Sequence, residues 1–174
     1  LDMEIDVLGN SAVRAYKMTK YWAFDQQLSM YAQFSKPFTC KIINDTIIDS
    51  NGHDFVRCKA LLRFSDIADN EELFVKVGVS AVDWDGAEKN VRSEISSWDF
   101  DKIRNAAHDK WNNYLSTIEI EADDDADKTI FYTAMYHAAI SPNLFMDVDG
   151  RYLGMDRKTH QGNPDKPVYT VFSL

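Results

Sequence analysis

Cysteine is scarce: Cys40 and Cys58 are the only two in 174 residues. Neither sits in a CxxC pair or at ligand spacing from a histidine, which argues against a metal site. Both occupy apolar-alternating positions of strand-like runs, so two buried thiols are expected; a disulfide across neighbouring strands is the alternative that spacing leaves open. Clustered Lys and Arg are missing as well. With 19 basic against 28 acidic residues, the net charge is −9, and no basic footprint for nucleic acid or an anionic membrane exists. No apolar run approaches the ~18 residues that a membrane-spanning helix needs, and no secretory signal is present. Repeats and low-complexity segments are absent. The chain opens at Leu1 without Met and closes inside the apolar run 168–174, so it reads as a piece of a longer protein.

What remains is ordinary globular composition, 45% hydrophobic and 27% charged, with a length near one domain or two small ones. Ten Phe, eight Tyr and four Trp supply bulk for cores and are also common in sugar-handling proteins.

Residues 1–82 read as strands. Leu28, Met30, Ala32 and Phe34 alternate against Ser29, Tyr31 and Gln33; Val56, Cys58, Ala60, Leu62 and Phe64 alternate against Arg57, Lys59 and Arg63; Leu73, Val75, Val77 and Val79 repeat the period. Such alternation predicts antiparallel sheets with one face buried and the other wet. Asn51-Gly52 marks a hairpin. The period then changes to helical. Asp85-Gly86 opens a short helix with Ala87, Val91 and Ile95 on one face. Asp99 or a neighbour caps a longer one through Phe100, Ile103, Ala107, Trp111 and Leu115. After the extended link Ile118–Glu121, acidic residues 123–125 favour the positive end of a third helix. That helix is apolar nearly all round through Ile130, Phe131, Ala134, Met135, Ala138 and Ala139, a pattern of burial that calls for partners outside 118–174. It stops before Ser141-Pro142. Leu144–Met146 and Tyr152-Leu153 then read as a hairpin around Asp147–Arg151, with 154–167 as loop.

No single motif amounts to a catalytic constellation. Asp147-Val148-Asp149-Gly150 begins like a calcium loop, but the third acid and the distal Glu are missing and Gly arrives early, so a tight Asp-Gly turn fits better. His137, at the end of the apolar helix, reads as a core histidine before a ligand or base. His53, His108 and His160 add no metal spacing. Asp83, Asp85, Asp99 and Asp101, around Trp84 and Trp98, read as helix caps before they read as paired acids for glycoside hydrolysis. Trp22 suits sugar stacking and core filling equally.

Taken together, several segments resemble glycoside hydrolase family 92, the calcium-dependent exo-acting α-mannosidases. They are Phe34–Phe38, Val75–Ala81, Ala87 with Asn90 and Glu94-Ile95, Trp98–Asp101, Trp111-Asn112 with Leu115-Ser116, Thr129–Asp156 and Tyr169–Leu174. They keep their order along the chain, and in the family the last is followed at once by a Trp-Asp pair that helps bind mannose. Where members show Gly-Trp, this chain has Tyr21-Trp22.

The resemblance implies an α+β molecule: 1–82 as the later part of an antiparallel β-sandwich, 83–121 as linker helices, and 122–174 as the first helix and hairpin of an (α/α)6 barrel. It implies removal of terminal α-linked mannose, α-1,2 by best-represented activity, with inversion. A carboxylic acid would protonate the leaving oxygen while a carboxylate base activates water across a gap of ~6.5–9.5 Å, and calcium would favour ring distortion. By motif order the acid, the base and the calcium ligands fall beyond Leu174, so the fragment alone is expected to bind no calcium and to be inactive. The implied partners are mannose-containing glycans and the rest of the same polypeptide, in the periplasm or outside the cell. Within the chain, Asn143, Asp149, Arg151 and, behind them, His137 are the candidate substrate contacts, against a plain role as turn residues. The competing reading is a non-catalytic carbohydrate-binding or scaffold sandwich.

Overall fold

The computed structural model describes residues 2–19, 25–48, 54–65 and 67–171. It is a mixed α+β chain, with strands in the first half and three helices later. Two compact units interleave in sequence: 1–98 with 146–167, and 99–145 with 168–174.

In the first unit, β1 (Asp2–Leu8), β2 (Ala12–Thr19), β3 (Gln26–Phe34) and β6 (Val75–Ser80) form an antiparallel sheet in the order β1-β2-β3-β6. A separate antiparallel pair, β4 (Thr39–Ile48) with β5 (Asp54–Arg63), has the register that an Asn-Gly hairpin implies; the turn itself lies outside the described residues, as does Trp22. One sheet face packs on this pair: Val13, Ala32 and Phe38 are buried, with Phe34, Cys40, Leu62 and Phe64 against them. Phe34 and Phe38 meet edge to face at 5.2 Å, a favoured aromatic geometry. The β4–β5 register places Cys40 opposite Leu62 and Cys58 opposite Asn44, and both thiols are free. Four ladder steps separate them, roughly 13 Å at strand rise, beyond the ~7 Å that a disulfide tolerates.

The other face was expected to be wet and is not. Helix α1 (Trp84–Glu94) lies on it, burying Ala87 and Val91 against Ala12 and Tyr31. Ser29 is therefore 1% exposed and Lys76 8%, whereas Val75, Val77 and Val79 are nearly half-exposed. The reason is local. A Cβ at Gly78 would meet Val91 Cγ2 at 2.5 Å and the Ala87 carbonyl at 2.6 Å, so only glycine lets the helix settle there. Lys76 is accommodated because its ammonium donates to the Ile95 carbonyl (2.9 Å) and stands 4.2 Å over the Trp98 ring.

In the second unit, α2 (Phe100–Leu115) begins at the Asp99 cap and α3 (Asp125–Ile140) at the Asp124 cap. The Trp111 and Tyr136 rings meet at 4.6 Å. Tyr132 donates to the Ile118 carbonyl at 3.1 Å. No described residue of α3 is buried, and Ile130 is 67% exposed. The partners that this all-round apolar surface calls for are not found among the described residues, where α2 covers only part of it. His137 is exposed against Tyr136 rather than sealed in a core.

The hairpin expected between 144–146 and 152–153 does not form. In the second unit, β7 (Asn143–Leu144) pairs with β10 (Tyr169–Thr170). In the first unit, β8 (Arg151–Leu153) pairs with β9 (Thr159–Gln161), inside the stretch that reads as loop. The Gly, Asn and Pro residues that suggested loop flank β9 rather than interrupt it.

Candidate functional site

The residues with the densest polar chemistry sit where the Asp147–Arg151 turn meets the start of α1, all within the first unit. The turn closes by a hydrogen bond from Gly150 N to the Asp147 carbonyl at 2.8 Å, with Gly150 at φ +85°, a conformation that glycine adopts without Cβ strain. It is the tight turn that the sequence suggested.

Two layers of contact hold it. In the inner layer the Asp147 carboxylate, 6% exposed, accepts from the Ser80 hydroxyl at 2.7 Å and from the Asn90 amide at 2.8 Å. Asn90 also accepts from Val148 N at 2.9 Å. Ser80 in turn accepts from Val82 N and Asp83 N, so one hydroxyl joins β6, α1 and the turn. A buried carboxylate is tolerable only when its oxygens find donors, as here. Gly86 makes the approach feasible, since a Cβ there would meet Asp147 Oδ2 at 2.2 Å.

In the outer layer Arg151 bridges two acids. Its Nη1 and Nη2 donate to Asp83 at 2.5 and 3.0 Å, and its Nε donates to Asp149 at 2.9 Å. Lys89 reaches Asp149 at 2.8 Å. Asp83 is also the α1 N-cap, accepting from Gly86 N at 2.7 Å. The Arg151 hydrogen bonds hold Asp83 below its ordinary range against the opposing effect of burial. Burial pushes Asp149 up, but hydrogen bonds from Lys89 and from the Arg151 backbone and guanidinium outweigh it and bring the carboxyl to about 2. Arg151 is raised, chiefly by its bond to Asp83. With Asp83 and Asp149 lowered and Arg151 raised, these three groups are fully ionised near neutrality.

The expected site residues are thus dispersed. Asp149 and Arg151 come together as an ion pair; Asn143, in β7, and His137, on α3, belong to the other unit. Nothing in the local pattern announces that Asp83, Lys89 and Asn90 converge on the turn, because they lie about sixty positions earlier. Asp83 and Asp99 act as the helix caps they resembled. Among the described residues no group of three or more His, Cys, Asp or Glu is suited to a metal. The Asp147 and Asp149 carboxylates face protein donors instead of a shared centre, so this turn does not fit calcium.

Residues 86–174 match the model of the glycosyl hydrolase family 92 catalytic domain. An uncharacterized secreted glycosidase of Arthroderma benhamiae is 31% identical over 102 residues, covering 50% of this chain and 13% of that protein. A family 92 α-mannosidase of Bacteroides thetaiotaomicron superimposes with a TM-score of 0.83 at 28% identity, over 96% of this chain and 23% of that one. Its complex with mannoimidazole superimposes at 0.82. The chain therefore spans under a quarter of the length of these relatives. With half of its residues inside the family model and nearly all of them on the fold of a solved member, the chain belongs to glycoside hydrolase family 92.

Proposed function

We propose that the longer protein is an exo-acting α-mannosidase that removes terminal mannose, α-1,2-linked first, with inversion and with calcium assistance. The observation that carries this reading is the 28%-identical α-mannosidase fold covering 96% of the chain. On this map 1–82 is the later part of the sandwich, 83–121 the linker, and 122–174 the start of an (α/α)6 barrel. The incompletely covered α3 supports further barrel helices against it. The acid, the base and the calcium ligands belong to later residues. Asn143 and His137 are proposed sugar contacts. Asp149 and Arg151 are proposed to act on the sugar through the geometry of their turn, since each already holds charged partners. A periplasmic or extracellular location is supported by the secreted relative.

Mannose release by the longer protein from α-1,2-, α-1,3- and α-1,6-mannobiose tests the proposal. Release fastest from the α-1,2 compound, lost with a chelator and restored by calcium, is expected. Purified 1–174 is expected to release none. Turnover by 1–174 itself would overturn the placement of the acid and base, and no release by the longer protein would overturn the activity.

A further inference from the structure

Residues 146–167 make an excursion between the two units. The chain belongs to the second unit up to residue 145, to the first from 146 to 167, and to the second again from 168. Both ends of the excursion are held, and by different means.

At its neck, β7 and β10 pair over two residues each, Asn143 opposite Thr170 and Leu144 opposite Tyr169. Phe145 N donates to the Val168 carbonyl at 2.8 Å, at the point where the chain leaves the second unit. So short a ladder is marginal by itself. A flexible loop joining its strands would weaken it further through the entropy of closure.

The head is not a flexible loop. Inside it β8 pairs with β9, Gly162 N donates to the Gly150 carbonyl at 2.8 Å, and the Gln161 amide donates to the Asp149 carbonyl at 2.8 Å. A Cβ at Gly150 would meet Gln161 Nε2 at 2.6 Å, so the turn and β9 are packed without slack. Outside it, Ser80 from β6 and Asn90 from α1 hold the Asp147 carboxylate, Asp83 and Lys89 hold Arg151 and Asp149, and Asp25 pairs with Arg157. Anchors from separate parts of the first unit thus remove the freedom that would otherwise oppose closure of the neck.

We propose that 146–167 is a strap: docking of its head on Asn90 and Ser80 of the first unit keeps the β7–β10 neck of the second unit closed. Order at Asn143, which lies in the neck, then depends on a carboxylate anchor in the other unit. The strap stands on these two anchorages and not on any contact of Asn143 with sugar, so it can fail or hold whatever the substrate.

Hydrogen exchange of the longer protein, followed by peptide mass, tests it. Asn90→Ala removes the donor to Asp147 and the acceptor of Val148 N, while Ala, a strong helix former, keeps α1 intact. Exchange of the head peptide 146–153 should quicken about tenfold. The neck peptides 143–145 and 169–171 should quicken with it, by about threefold or more, while α2 exchanges as in the wild type. Adding Asp147→Ala, which removes the anchor altogether, should enlarge both effects together. A neck that exchanges at the wild-type rate while the head is loosened would overturn the strap. So would a head left unchanged by the double variant, or a quickening that extends equally to α2 and therefore reflects general loosening.

Discussion

Replacing Arg151 with Met removes the guanidinium while keeping most of its apolar stem. Arg151 makes three charge-assisted hydrogen bonds, two to Asp83 and one to Asp149. Bonds of this kind contribute roughly 1.5–3 kcal/mol each when shielded. They are not additive, and the Asp83 side chain is 44% exposed, so solvent screening reduces the sum. A local loss of about 2 kcal/mol is expected. A long, multidomain protein does not unfold in one step, so the suitable assay is hydrogen exchange of peptides spanning 146–153. There the Asp147, Val148 and Gly150 amides are hydrogen-bonded. Their exchange should quicken by a factor of about 30. With Asp83→Asn already present, the same change should cost less, a coupling of about 1 kcal/mol. The effect should also depend on pH. Asp83 and Asp149 are depressed carboxylates, Asp149 to about 2. The stability they supply is complete above the usual value of ~3.9 and is lost as pH falls toward the folded value. The penalty of Arg151→Met should therefore shrink between about pH 4 and pH 2. A penalty that is equal at pH 7 and pH 2.5, or absent at pH 7, would refute the bridging role.

Gly86→Ala should destabilise the same turn by about 1–3 kcal/mol, because its Cβ would meet Asp147 Oδ2 and Ser80 Oγ at 2.2 and 2.7 Å; helix propensity alone favours Ala by ~1 kcal/mol, so the sign of the change in exchange of 146–153 decides. Asp124→Ala removes the α3 cap that accepts from Ala126 N and should speed exchange in the first turn of α3 several-fold, consistent with ~1 kcal/mol for a cap; an unchanged rate would count against the cap. Denatured without reductant, the longer protein should take up iodoacetamide at both Cys40 and Cys58, mapped by peptide mass; protection of the pair would show a disulfide that the strand register excludes.

The period-two runs made β3, β5 and β6 legible, and Asp99 and the acidic run 123–125 marked the starts of α2 and α3, whereas α1 begins at Trp84 behind the Asp83 cap and not at Asp85-Gly86. Which face of a strand is buried was harder to read. The sheet positions under and beside α1 include Ser29, Lys76 and Gly78, none of which signals coverage by hydropathy; Gly78 admits the helix for lack of a side chain, and Lys76 is buried through the Ile95 carbonyl and the Trp98 ring. Strand β9 was hidden because three residues bracketed by turn formers carry too little period to register. At the site, Asp149 and Arg151 could be singled out as polar groups on a turn. Their partners Asp83 and Lys89 could not, because pairing across about sixty positions is set by tertiary packing.

Whether the longer protein releases mannose is decided by following its reaction with α-1,2-mannobiose by proton NMR in real time. Free mannose is expected, with the β-anomer appearing first and the α-anomer growing in only by mutarotation. No mannose from this or any other α-mannoside would contradict it.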